Sequence, residues 1–148
     1  MGIAWHRQVG RWRTWCCLSF IERGRAAEAV GFLLLAELLV ALVPLRYWRS
    51  FLDEADSPPC GASLAVLGAV QRAVGRAART TPTPAKCLPQ ALAAFWMLRR
   101  RGIGSRIHLG VIRTADASFA FHAWLEAGRH TLTGHHDAPY RPIRPPCP

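Results

Sequence analysis

Acidic residues are scarce in this chain of 148 residues. Nine Asp and Glu stand against 19 basic residues, a formal net charge of +10. Lysine is almost missing: Lys86 is the single one, and every other basic residue is Arg. The excess suits anionic partners: nucleic acid, an acidic peptide or an anionic membrane face. Charged residues make up only 19% and hydrophobic ones 51%, which excludes a disordered chain and supplies a sizeable core. None of the five cysteines forms a C-x-x-C pair, so neither a zinc knuckle nor a thioredoxin-type redox pair is indicated. The apolar run at 16–21 is too short for a signal peptide and ends at Glu22 and Arg23. The start M-G-I-A-W-H lacks the Ser or Thr of a myristoylation site. Free thiols in a reducing cytoplasm are the expectation.

The length suits one domain. Residues 1–20 interleave Trp5, Trp12 and Trp15 with Arg7, Arg11 and Arg13, and read as a basic extension. Residues 21–148 read as a single domain: an apolar helical segment over 21–56, then a core over 57–148. The first helix is predicted over 22–52, with Pro44 stopping or kinking it. Crossing a membrane needs about 20 apolar residues, and Glu37 would sit near the middle of that span. Burial, or contact with a membrane face or a partner, fits this helix better. Ala62–Arg79 is a second helix, with Val66, Val70 and Val74 on one face and Arg72, Arg76 and Arg79 on the other. Cys87–Arg101 is a third, closed by Gly102.

After Gly104 the period changes from helical to alternating. Strands are predicted at Arg106–Arg113, Phe119–Glu126 and His130–Thr133, with a fourth at Tyr140–Ile143. Helices first and an antiparallel meander afterwards mean an α+β fold.

Two residues carry candidate chemistry. Cys87 falls where a Pro-rich loop meets a helix, and the positive end of a helix dipole favours a thiolate. His122 lies mid-strand, on the face away from Phe119, Phe121 and Leu125. A Cys–His couple is the minimum for a thiol nucleophile, because the imidazole takes the proton and returns it to the leaving amine. Trp124 shares the face of His122 and is either a wall of the site or core. His130, His135, His136 and Cys147 have no metal-site spacing, so no metal and no cofactor are expected.

The runs Cys87-Leu-Pro-Gln-Ala-Leu, Leu98-Arg-Arg-Arg-Gly-Ile, Leu109-Gly-Val and Phe121-His-Ala-Trp-Leu-Glu126 resemble the transglutaminase-like cysteine proteases of lasso peptide biosynthesis. These leader peptidases process a ribosomal precursor peptide. The resemblance covers roughly 22–143 and implies a papain/transglutaminase-like fold, with a helical N-terminal half followed by the antiparallel meander. It makes Cys87 the nucleophile and His122 the general base. The family's third residue is an Asp on the strand after the His, where this chain has Leu132-Thr133-Gly134. A turn at Ala127–Arg129 would set Gly134 across from His122, so an Asp placed at 134 could reach the imidazole. Asp137 is the nearest carboxylate and the candidate third residue. Without it, a backbone carbonyl or a water would orient the ring.

The resemblance also implies partners: the lasso precursor peptide, a separate leader-recognition protein and an ATP-dependent macrolactam cyclase. About 60 residues precede the catalytic half, and they do not read as a fused recognition domain. The expected place is the cytoplasm, with peripheral contact at the inner membrane face, and nucleic acid is not an expected partner on this reading. Two other classes fit the residues. One is a related Cys–His amidase or transamidase acting on another peptide. The other is a basic membrane- or nucleic-acid-binding module with a decayed active site.

Overall fold

The computed structural model describes residues 19–47, 63–81, 86–113, 119–134 and 141–142. The basic extension before Ser19, the loop predicted at 53–61 and the Pro-rich loop at 82–85 lie outside the described residues.

Helix α1 is Phe20–Leu42. It begins at Ser19, whose hydroxyl accepts the Glu22 N–H at 3.3 Å while the Glu22 carboxylate accepts the Ser19 N–H at 3.1 Å. This reciprocal cap satisfies two amides that the first turn would otherwise leave unpaired. The Ser19 N–H, then the Ser19 hydroxyl, hold the Glu22 carboxyl below its ordinary value, with Arg76 and Arg72 adding charge attraction. The cap is therefore complete above the ordinary carboxylate range and is lost as pH falls through the lowered value. The helix expected to reach residue 52 stops at Leu42. Pro44 has no N–H to continue the ladder, and its ring disfavours helical backbone at Val43, which is extended. One 3₁₀ turn, Leu45–Tyr47, follows.

Helix α2 is Leu64–Thr80, burying Leu67, Val70, Ala73, Val74 and Ala77. Helix α3, Cys87–Arg99, is apolar nearly all round and buries Pro89, Ala91, Leu92, Ala93, Ala94, Phe95, Met97 and Leu98. Its predicted last turn becomes a reversal at Arg100–Gly102. Gly102 takes φ +67°, and the Ile103 N–H closes onto the Leu98 carbonyl at 3.1 Å.

The strands are β1 Arg106–Arg113, β2 Phe119–Ala127, β3 His130–Thr133 and β4 Arg141–Pro142. They form one antiparallel sheet in the order β3-β2-β1-β4. The meander therefore spans three strands, and the fourth returns to the far edge beside β1. The fold is α+β, three helices and then a sheet, as the change of period predicts. α1 and α2 pack on α3 and on each other, and β2 and β3 pack on α3. Ala123, Leu125 and Ala127 of β2 join this core with Ile107 and Leu132.

A charge cluster ties α1 to the end of α3. Arg101 grips Glu28 through two bonds of 2.6 and 3.2 Å, and also donates to the Met97 carbonyl. Arg100 adds a contact of 3.3 Å from a largely exposed side chain. Glu28→Gln is expected to lower unfolding free energy by about 1–3 kcal/mol, because it weakens charge-assisted bonds that are mostly shielded from water. Arg100→Ala should cost about 0–1 kcal/mol. Urea denaturation of the two variants measures both, and equal losses would contradict this division of roles.

Candidate active site

Cys87 is the first residue of α3, after Lys86 as N-cap. Lys86 supplies no side-chain cap, so the first-turn amides are left without one. The Cys87 thiol is free and half-buried, packed at the margin of the core. The other four cysteines lie outside the described residues. The helix that starts at Cys87 packs on the strand that carries His122. Along that strand Ala123, Leu125 and Ala127 are buried in the core, while His122, Trp124 and Glu126 alternate onto the other face.

The His122 ring is held by the backbone. Its Nε2 lies 2.8 Å from the Gly134 carbonyl oxygen. A carbonyl can only accept, so Nε2 must carry the proton. In the neutral ring the basic lone pair then belongs to Nδ1. The alternative of a backbone carbonyl orienting the ring is the arrangement present among the described residues. Asp137 lies outside them, as do His135, His136 and Cys147.

The predicted hairpin register needs correction. The turn is Gly128–Arg129, because Ala127 already pairs with His130. Pairing runs Glu126 to Thr131 and then Leu125 to Thr133, with a bulge between Leu125 and Glu126. Relative to the expected register, β3 is displaced by one residue at the tip and by two beyond the bulge. Gly134 therefore meets His122 through its carbonyl and not as a side-chain position. Its φ is +70°, a region that side chains other than glycine seldom take. A Cβ at 134 would lie 2.9 Å from the Trp124 Cβ and 3.0 Å from His122 Nε2, and would collide with the Ala123 carbonyl oxygen. An Asp at 134 cannot serve as the missing carboxylate.

Two further residues complete the His122 face, and neither stood out in the sequence. The rings of His108 and Trp124 stack at 5.2 Å with planes 15° apart, and those of Trp124 and His122 at 6.2 Å and 19°. Glu126 binds this ladder at its far end. One of its oxygens accepts the Trp124 indole N–H at 2.9 Å, and the other pairs with His108 Nε2 at 3.1 Å. Trp124 is buried and stacks on His122, on the face of β2 opposite Ala123 and Leu125. His108 joins only through the β1–β2 register, which sets it opposite Trp124. A signal was available in the alternation of His122, Trp124 and Glu126. Its partner strand could be recognised only once that register was known.

Among the described residues no group of three or more His, Cys, Asp or Glu could hold a metal ion. None of the described helices is long and apolar enough to cross a membrane.

A thiol at a helix start and a histidine on the strand packed against that helix are the two residue types a thiol enzyme uses. Comparison with known families supplies the class. The family model for the transglutaminase-like superfamily matches residues 30–145, a span that includes Cys87, His122 and Asp137. The chain belongs to that superfamily, whose members are generally cysteine proteases and transglutaminases. Searches of curated proteins and of solved structures found no match.

Gly134→Ala tests the close approach. It is expected to lower stability by about 1–3 kcal/mol, from strain at positive φ and from the crowded carbonyl. Gly134→Asp should be at least as harmful, with no gain of activity. Thermal melts and turnover measured side by side check this, and an aspartate variant that melts normally and turns over faster would refute it.

Proposed function

We propose that the protein is a cysteine peptidase that removes the leader from a ribosomally made lasso peptide precursor. The orientation of His122 carries this reading: an imidazole fixed as the Nε2–H tautomer by the Gly134 carbonyl, in a superfamily of thiol enzymes. Cys87 is the nucleophile and His122 the base. Nδ1 takes the thiol proton, and the thiolate attacks the carbonyl of the leader–core amide. The imidazolium returns that proton to the departing amine, which leaves as the core peptide and an acyl-enzyme remains on Cys87. Water, deprotonated by the same nitrogen, hydrolyses the thioester and frees the leader.

Through the imidazolium stage the Nε2–H to Gly134 bond becomes charge-assisted and stronger. A carbonyl dipole supports the cation less than a carboxylate does, and Asp137 is the residue proposed to add that charge. The other partners of this reading are a separate leader-recognition protein and an ATP-dependent macrolactam cyclase. The amidase or transamidase alternative uses the same first half-reaction and differs only in what attacks the thioester.

The test is mass spectrometry of a lasso precursor incubated with this protein and the recognition protein. Free leader acid and free core are expected. A leader joined to an added amine would establish transamidation instead. Cys87→Ala should abolish both products in a protein that remains folded, and retained cleavage by that variant would end the thiol-peptidase reading.

The third residue is tested separately. Asp137→Ala is expected to lower turnover by less than His122→Ala does. His122 must accept a proton in every cycle, whereas the third residue only holds the tautomer and stabilises the cation, and the Gly134 carbonyl already does part of that. Equal losses in single-turnover assays would make Asp137 a full triad member. No loss at all would leave a Cys87–His122 dyad supported by the backbone.

A further inference from the structure

Helix α1 has two apolar faces, and among the described residues only one is covered. Ala26, Ala29, Leu33 and Ala36 face α2 and α3 and are buried. The opposite face is apolar from end to end. Leu34, Leu35, Leu38 and Leu42 are each 50–70% exposed, and Phe20 in the first turn is 90% exposed. Gly24, Ala27 and Gly31 continue this face at helical spacing between them. A contiguous exposed strip of this kind marks an interaction surface.

The charges around the strip select the occupant. Exposed Arg23 stands at its start, and exposed Arg46, stacked over the Tyr47 ring, stands just past its end. Arg100 lies over Phe32 on the flank. Of the acidic residues of α1, Glu22 is bound in the Ser19 cap and Glu28 to Arg100 and Arg101, while Glu37 is half-buried at the border between the strip and the packed face. An apolar strip with a cationic rim and an exposed Tyr at its end complements an anionic lipid surface. A second copy of the chain is a poorer fit. Pairing two such strips sets one cationic rim against another. The strip, about 33 Å long and about 10 Å wide, also offers less than the ~800 Å² per partner of a standard interface.

We infer that the outer face of α1, centred on Leu34 and Leu38, docks the protein peripherally on an anionic membrane surface. The helix lies in the headgroup layer with its Leu side chains in the acyl boundary, and the rest of the domain stays in water. This inference is independent of the peptidase reading.

Co-sedimentation of the full chain with vesicles tests it, using phosphatidylcholine alone and phosphatidylcholine with about one-third phosphatidylglycerol. Binding is expected to the mixed vesicles, weakened by added salt, and at least about tenfold weaker to phosphatidylcholine alone. Leu34→Glu/Leu38→Glu should lower binding to the mixed vesicles at least about tenfold, and Leu34→Ser/Leu38→Ser should lower it less. Both sites are half-exposed, so near-UV circular dichroism should match the parent. Cleavage of a soluble precursor should be unchanged, which separates failure of docking from failure of the peptidase reading. Undiminished vesicle binding by the Glu variant would overturn the inference, as would equal binding to both vesicle types or binding to neither. A concentration-dependent dimer that the Glu variant abolishes, without vesicle binding, would assign the face to a second copy.

Discussion

Burial of α3 is the constraint on which the remaining elements depend. Eight of its residues are buried, because α1, α2, β2 and β3 all pack against it. Such a helix has only a narrow solvent face to orient it, so its small residues matter as well. Ala91, Ala93 and Ala94 let neighbouring elements come close, while Leu92, Phe95, Met97 and Leu98 fill the space between them. Close-packed interiors tolerate little change in volume, and truncating Leu98 or Met97 to Ala would cost about 2–5 kcal/mol. The two ends of this rigid helix carry separate tasks. Arg100 and Arg101 at one end engage Glu28 of α1. Cys87 at the other end starts the helix, where the peptide dipoles point their positive end. Packing of the helix body therefore fixes where the thiol backbone lies.

Among the described residues, a backbone carbonyl holds the edge of the His122 ring. A carbonyl fixes a tautomer as firmly as an acid does, because it can only accept. It brings no net charge, so its support for an imidazolium is smaller. The ladder of His108, Trp124 and His122 adds a mechanical element. Trp124 stacks on both imidazoles, and Glu126 binds Trp124 and His108 together. Tilting of the His122 ring is restrained by Trp124 on its face and by Gly134 at its edge.

Much of this architecture was readable from period alone. The Ala- and Leu-rich run after Cys87, the Arg-flanked apolar stripe of α2 and the alternation of Phe119–Glu126 each specify an element, since burial acts on one residue at a time along a regular backbone. What was not readable depended on pairing between segments. The bulge at Leu125/Glu126 displaces β3 relative to β2, and no composition signal marks it. The Gly134 backbone angle decides that a carbonyl faces His122, yet Gly in sequence indicates only permission for such an angle. His108 and Glu126 become partners only when Arg106–Arg113 is set against Phe119–Glu126 in one register. The end of α1 is a milder case: Pro44 was visible, and the structure decides for a stop over a kink.

One alternation serves both the core and the candidate site. In the run His122-Ala123-Trp124-Leu125-Glu126, Ala123 and Leu125 join the helices while the other three form the ladder. A strand has period two, so a slip of one residue would drive His122, Trp124 and Glu126 into the core and expose Leu125. Burying those polar groups without partners costs far more than a marginal fold can sustain. Packing of Leu125 against the helices therefore keeps His122 on its face, with no interaction at the imidazole required. The Gly134 contact needs only to choose which nitrogen holds the proton. Orientation of the ring's face comes from hydrophobic burial and orientation of its tautomer from one hydrogen bond.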